Sequence, residues 1–356
     1  MANFAVVGAS GAVGEEILNV LNELDVKVDK LLLLASKRTA GTKVEFRGRE
    51  ITIKELNESS FEGENIDVAF FCAGGSVSEK YAKYAVEAGA VVVDNTSHFR
   101  MDKDVPLVVP ECNMEDIKDW EKKGIIANPN CSTIQMMHVL KPLDDVFGIK
   151  RVNVSTYQAS SGAGKEGMEE LVNSLSEFFA FRLDEFKPNT FAYPLAFNLI
   201  PQIDTFTDSG YTKEELKMVN ESKKILHKDF KITATCVRVP VLRSHSESIS
   251  IEFEKNVDLN KAIEVLKKAP SVVVVDNKDA KTASERDNFD RNDFSSHRYP
   301  MPLFTSDTNE TYVGRIRKDL DDDNVLHLWC VADQIRVGAA TNAVRIAIKW
   351  LELNEK

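Results

Sequence analysis

Two hydrophobic periods alternate along the first third of the chain. Asn3–Val7 is a short apolar run that reads as a strand, a glycine-rich turn follows, and Ile17, Leu18, Val20, Leu21 and Leu24 then recur at helical spacing. Leu31–Leu34 and Asp67–Phe71 repeat the strand pattern, a helix is predicted over Ser78–Glu87, and Val91–Val93 is a further strand. Strands alternating with helices imply a mostly parallel, doubly wound sheet covered on both faces. After about residue 130 the pattern changes. Arg151–Gln158, Thr233–Val239, Glu247–Phe253 and Thr311–Arg317 are longer strand candidates, and Glu247–Phe253 (ESISIEF) alternates polar and apolar residues. Such alternation leaves one face buried and one free, the antiparallel habit. Helices are predicted near Gly167–Phe179 and Leu259–Lys268, and Asn277–Ser296 is polar and aperiodic, as in a surface loop. The final helix, Ile335–Leu353, carries a stripe of Val344, Ile348 and Leu351 that needs a partner, for which the first domain is the expected one.

The predicted architecture is α/β. Residues 1–130 form one domain, completed by a C-terminal helix over 334–356, and residues 131–333 form an α+β domain with a mixed, largely antiparallel sheet. A length of 356 residues, 43% of them hydrophobic, supports cores of that extent. The formal net charge of −11 argues against a nucleic-acid partner, which calls for excess positive charge. The N-terminus has no basic region before its apolar run, and no stretch of about 18 apolar residues occurs, so neither a signal peptide nor a membrane span is expected. The five cysteines are scattered, with no CxxC pair and no zinc-ligand spacing, which suits reduced thiols in a cytoplasm and no metal site.

Gly8-Ala9-Ser10-Gly11-Ala12-Val13-Gly14 lies between a strand and a helix, the context of a dinucleotide loop and of a Rossmann-like domain. Glycines permit a tight turn and close approach of backbone to a pyrophosphate, which the helix N-terminus attracts. The spacing is GxxGxxG rather than GxGxxG, so an ordinary glycine-rich turn is the competing reading. After the second strand an NAD site would place an acid for the ribose hydroxyl. The segment there is Ala35-Ser36-Lys37-Arg38-Thr39, hydroxyls and cations without an acid, which suits the 2′-phosphate of NADP. A solvated basic turn is the alternative.

Asn128-Pro129-Asn130-Cys131-Ser132-Thr133 precedes the helical pattern Ile134, Met137, Val139, Leu140. Cys131 is thereby placed at a helix start, where the dipole favours a thiolate, a nucleophile that attacks an acyl carbon and later leaves it. The other four cysteines read as inert core residues.

GASGAVG, NPNCST, Gln158–Gly164 (QASSGAG), Arg238–His245 (RVPVLRSH), Tyr299–Leu303 (YPMPL) and Val313–Asp319 (VGRIRKD) occur in order along the chain, and together they resemble the aspartate-semialdehyde dehydrogenases, in particular their shorter bacterial branch. The resemblance runs from residue 4 to about residue 350. It implies NADPH-dependent reductive dephosphorylation of L-aspartyl 4-phosphate to the semialdehyde, a step of lysine, threonine and methionine biosynthesis, through a thioester on Cys131. It also implies that Gln158 positions the substrate, that His245 is the general acid/base and that Arg238 clamps the substrate carboxylate. Asn130 is assigned to the substrate, Arg100 to its phosphate, Glu214 to its α-ammonium and Lys217 to its phosphate. The dinucleotide would be touched by Gly8, Ser10, Gly11, Ala12, Val13 and Gly14, by Ser36, Arg38 and Thr39, and by Ser161, Gly162, Pro194 and Gln334. A homodimer built through the second domain, or a homotetramer, is the implied assembly.

Each residue also has a plainer reading: a packed histidine for His245, a surface salt bridge for Arg238, an exposed ion pair for the Glu214-x-x-Lys217 pattern. At the level of function, N-acetyl-γ-glutamyl-phosphate reductase performs the same chemistry on a longer, acetylated substrate. Its cysteine is commonly preceded by Pro-Gly, whereas here the pair is Pro-Asn. A redox sensor without turnover and a Cys-His hydrolase are the readings from other classes.

Overall fold

The apolar run after Met1 becomes Ala2–Val7, the third strand in a six-stranded parallel sheet. The computed structural model describes residues 1–285 and 293–355, and the chain divides into two compact units, residues 1–130 with 338–356 and residues 131–337. In the first unit the strand order is Lys54–Glu55, Val28–Ala35, Ala2–Val7, Val68–Phe71, Val91–Asp94 and Ile125–Ala127. Every pairing is parallel. The two neighbours of Ala2–Val7 lie on opposite sides of it, so its carboxyl end is the point where the winding direction reverses, the usual ligand position of an open α/β sheet.

The central strands Ala2–Val7, Val68–Phe71 and Val91–Asp94 are buried almost throughout, and the core of this unit joins Phe4, Val6, Leu33 and Phe70 of the sheet to Ile17 and Leu21 of the helix Ala12–Glu23. The rings of Phe4 and Phe70 stack with centroids 5.9 Å apart. The last helix is Thr341–Leu353, preceded by a wide turn over Arg336–Ala340, so it starts six residues later than its hydrophobic pattern suggests. Val344, Ala347 and Trp350 enter the same core, and Trp350 meets Trp120 edge to face at 5.2 Å. A small hairpin, Lys43–Phe46 with Arg49–Thr52, and the edge strand Ile125–Ala127 are additions to the predicted elements.

In the second unit the strand order is Lys231–Arg238, Ile149–Gln158, His245–Phe253, Val325–Ala332, Thr311–Lys318 and Val272–Val274. The three central pairings are antiparallel and the two outermost are parallel. Helices Cys131–Phe147, Lys213–Leu226 and Leu259–Lys268 pack against this sheet and each other. Val325–Ala332 is a strand that the sequence pattern does not mark. Within the stretch predicted as a surface loop, Phe294 turns inward and stacks on Tyr312 at 4.4 Å, while residues 286–292 lie outside the described residues.

The glycine loop explains its own sequence. Gly8 has φ +87°, and a Cβ on Gly14 would come within 2.2 Å of the Gly8 carbonyl oxygen and 2.9 Å of the Ala9 Cα. Those neighbours are backbone and cannot move aside. Gly14→Ala is therefore expected to force the turn open, lower stability by roughly 1–3 kcal/mol as overpacking does, and weaken NADPH binding at least tenfold. Thermal melts and a fluorescence titration with NADPH check both, and unchanged affinity would remove the turn from the cofactor site.

Candidate active site

The strand register puts three of the predicted side chains in a row. Arg238 and Gln158 are direct partners at the ends of their parallel strands. His245 begins the antiparallel strand, one step beyond the Tyr157–Ser246 pair, which brings it level with Gln158. All three are buried. Gly162, in the short turn Ser160–Ala163, closes over the row: a Cβ there would sit 2.6 Å from Arg238 Nη1 and 3.1 Å from His245 Nε2. The glycine is required because two functional groups occupy the space a side chain would take.

Arg238 Nη1 donates to the Ala159 carbonyl at 2.6 Å. Burial works against the charge of its guanidinium, while Glu214 and Cys131 favour it, and an arginine remains cationic under such conditions. His245 Nδ1 accepts the Ala159 backbone N–H at 3.0 Å, which puts the proton of the neutral ring on Nε2. Burial and the neighbouring Arg238 charge hold the imidazole well below its usual range, so it is neutral near pH 7.

Cys131 is the first residue of its helix and is half-buried. Burial pushes the thiols of Cys72, Cys236 and Cys330 up, away from the reactive thiolate form.

The Glu214-x-x-Lys217 pattern sits on Lys213–Leu226, whose start is fixed by a capping box between Thr212 and Glu215, a T-x-x-E signature present in the sequence. It is not a solvent-exposed pair, since the side chains are only 6% and 25% exposed. Glu214 accepts Gln158 Nε2 at 3.3 Å and Lys217 Nζ at 3.1 Å. Lys217 also bonds Asp204 at 3.0 Å, an acid that sequence reasoning did not single out. Burial opposes the Lys217 ammonium, and the two carboxylates more than offset it, raising its pKa.

A cavity of about 450 Å³ is lined by Arg238, Glu214, Lys217, Asp204, Gln202 and Phe191, among others. Gly162 lines it too, whereas Cys131, Gln158 and His245 are not among its lining residues. Gln334 and Ser161 are hydrogen-bonded to each other, and the Gln334 Oε1 accepts the Ser244 N–H at 2.9 Å, so Gln334 ties together the turns on either side of His245. Pro194 is not brought to this cavity; its carbonyl accepts Asn198 Nδ2 at 3.0 Å within its own loop.

A second row lies directly beneath the first: Cys236, Thr156, Glu247 and Cys330 on four neighbouring strands. Glu247 is fully buried, and neither carboxylate oxygen has a hydrogen-bond partner among the described residues. Burial raises its pKa well above the usual range, with the nearby Gln135 amide opposing. ESISIEF does alternate, but Glu247 shares the inner parity of Ile249, Ile251 and Phe253, and the free face is that of Ser248, Ser250 and Glu252. That parity was the available sign that this acid is internal.

In the first unit, Ser10 Oγ bonds Thr39 Oγ1 at 3.2 Å, linking the glycine loop to the Ser36–Thr39 turn, where Ser36 and Arg38 are exposed. The helix that carries Ala12 and Val13 begins after Gly11 with no side-chain cap on its N–H groups. A tight glycine cradle beside a basic turn lacking any acid fits the pyrophosphate and 2′-phosphate of NADP. Arg100 is buried and braced, donating from Nε to the Asn128 carbonyl and from Nη2 to the Asn95 carbonyl, both at 2.9 Å. Asn130 is buried at the end of this unit.

Residues 3–120 match the family model described as "Semialdehyde dehydrogenase, NAD binding domain", and residues 140–337 match "Semialdehyde dehydrogenase, dimerisation domain". Aspartate-semialdehyde dehydrogenase of Campylobacter jejuni is 68% identical over 352 residues, covering 99% of this chain and 98% of that protein. Among solved structures, aspartate semialdehyde dehydrogenase II of Vibrio cholerae complexed with ASA has a TM-score of 0.90 at 41% identity, covering 99% of this chain and 98% of that one. The Candida albicans enzyme with NADP has a TM-score of 0.71 at 25% identity, with 99% of both chains covered. With strand topology, ordered motifs and near full-length identity in agreement, the chain belongs to the aspartate-semialdehyde dehydrogenase family.

Proposed function

We propose that this chain catalyses the NADPH-dependent reductive dephosphorylation of L-aspartyl 4-phosphate to L-aspartate 4-semialdehyde, with the cysteine of NPNCST as nucleophile. The observation that carries the reading is the Arg238–Gln158–His245 row set against the pair of buried Glu214 and half-buried Lys217. An amino-acid acyl phosphate has a carboxylate, an ammonium and a second anionic group. The cavity offers a guanidinium, a carboxylate and an ammonium in return.

In this reading the Cys131 thiolate attacks the acyl carbon, a C–S bond forms, the C–O bond to phosphate breaks, and inorganic phosphate leaves with the bonding electron pair. A thioester remains on Cys131. Arg238 holds the α-carboxylate, Glu214 the α-ammonium, and Lys217 and Arg100 are the phosphate-binding cations. Gln158, anchored to Glu214, orients the acyl group, and Asn130 contributes to substrate binding. NADPH, when bound, supplies the hydride that reduces the thioester carbon. His245 exchanges a proton with the oxygen on that carbon through Nε2, since Nδ1 is engaged by the Ala159 N–H, and the C–S bond then breaks with its electron pair returning to Cys131, which frees the semialdehyde. Backbone N–H groups at the start of the Cys131 helix are the candidate oxyanion donors. The cofactor contacts are those of the glycine loop, Ser36, Arg38 and Thr39, with Ser161, Gly162, Pro194 and Gln334 from the second unit.

The assembly is a homodimer or homotetramer. Phe178, Phe179, Phe181 and Phe197 support it, an exposed aromatic cluster within the region matched by the dimerisation-domain model. Among the described residues no helix is long and apolar enough to cross a membrane, and a cytoplasmic location is part of the same proposal.

The test follows NADPH absorbance with L-aspartate semialdehyde and NADP⁺, with and without inorganic phosphate. Phosphate-dependent NADPH formation is expected. No signal with this substrate, but a signal with the N-acetylglutamate analogue, would replace the assignment by the reductase. Silence with both would leave only a cofactor-binding protein.

A further inference from the structure

Helix Gly164–Phe179 presents Glu170 to a segment that has no regular structure of its own yet forms one wall of the cavity. The Glu170 carboxylate accepts three successive backbone N–H groups, from Asn189 at 2.8 Å, Thr190 at 2.5 Å and Phe191 at 3.1 Å. Burial raises its pKa, and the three donors more than offset that, holding the carboxyl below its usual range. A single side chain thus does the work a strand neighbour would do for this segment.

The segment is fixed for the sake of Phe191. Its ring lies over Arg238, with the guanidinium carbon 5.6 Å from the ring centroid. It also packs against the small cluster of Leu171, Leu195 and Ile200. Gly167, one turn before Glu170, keeps this crowded spot clear: a Cβ there would meet the Ser160 carbonyl oxygen at 2.4 Å, the Ala163 Cβ at 2.8 Å and Phe191 Cζ at 3.2 Å. With one face covered by Phe191 and Nη1 committed to the Ala159 carbonyl, the guanidinium has only part of its edge left for a ligand.

We propose that Glu170 is a positioning residue and Phe191 a binding determinant: together they form a shelf that fixes which edge of Arg238 meets the substrate carboxylate. The proposal rests on the reading of Arg238 as the carboxylate clamp. The shelf sets affinity at the carboxylate end and leaves the phosphate end, around Lys217, unaffected.

The test uses the full chain with Glu170→Ala, Glu170→Gln and Phe191→Ala. Glu170→Ala and Phe191→Ala are each expected to raise KM for L-aspartate semialdehyde about tenfold or more. Their kcat should stay within about threefold, and KM for phosphate and NADP⁺ within about twofold. Glu170→Gln, which keeps an acceptor oxygen, should lie between wild type and Glu170→Ala. Amide hydrogen exchange at Asn189–Phe191 should accelerate in Glu170→Ala and not in Phe191→Ala. Accelerated exchange with an unchanged semialdehyde KM would overturn the proposal. A rise in all three KM values together with a fall in kcat and a lowered melting temperature would do so too, by reducing Glu170 to scaffolding. A wild-type protein inert toward the semialdehyde would instead remove the clamp reading, and the shelf's role with it.

Discussion

Replacing Cys131 by serine is expected to lower turnover of L-aspartate semialdehyde by about 10⁴-fold or more while leaving NADPH affinity within about twofold. The size of the loss follows from the role, since removing a covalent nucleophile commonly costs several orders of magnitude. A serine hydroxyl in the same place keeps the shape but not the readily formed, readily expelled anion. Burial disfavours the thiolates of Cys72, Cys236 and Cys330, so none of these three stands ready to substitute. The proposed cofactor contacts at the glycine loop and the Ser36–Thr39 turn lose no atom. Steady-state assays paired with a fluorescence titration decide the matter. Activity above about one per cent of wild type would remove Cys131 as nucleophile.

Arg238→Lys is the second large effect, a loss of about 10²- to 10³-fold in kcat/KM for the semialdehyde, most of it in KM. Charge is retained, so a purely Coulombic role would survive the change. The guanidinium, however, bonds the Ala159 carbonyl through one nitrogen and still has donors in the same rigid plane for a ligand. An ammonium on a flexible stem cannot keep both directions, and it forfeits stacking beneath Phe191. Truncation to leucine should be worse, because Glu214 would lose one of the cations that compensate its burial. Lys217→Met offers the contrast: its expected effect is on KM for phosphate. A lysine variant at position 238 with wild-type KM would argue against the fork.

Much of this site can be anticipated from residue types and spacing, and the reasons for the gaps are physical. The glycine loop is legible because backbone geometry dictates glycine at Gly8 and Gly14. NPNCST is legible because turn residues run into a helical pattern. The row of Arg238, Gln158 and His245 is not, since cross-strand register depends on pairings between segments dozens of residues apart. Asp204 and Glu170 escape notice for a related reason, as one lies in irregular chain and the other reaches into it, and each matters through contacts 13 to 21 residues away in the sequence. Glu247 was visible in the parity of its strand, but a lone acid among serines reads as solvated until the other face is known to be the covered one.

The register has one further consequence. Gln158 and Arg238 end their strands and His245 begins its own, so the proposed chemistry is concentrated along a single edge of the sheet. The acidic turn Asp319–Asn324 joins Thr311–Lys318 to Val325–Ala332 at the opposite edge, about 23 Å away at ~3.3 Å per residue, with Leu320 fully in solvent. Chain length can vary at that turn, through evolutionary insertions or an attached reporter, without disturbing the reacting groups: one edge of this sheet is held to fixed dimensions, and the other is open to change.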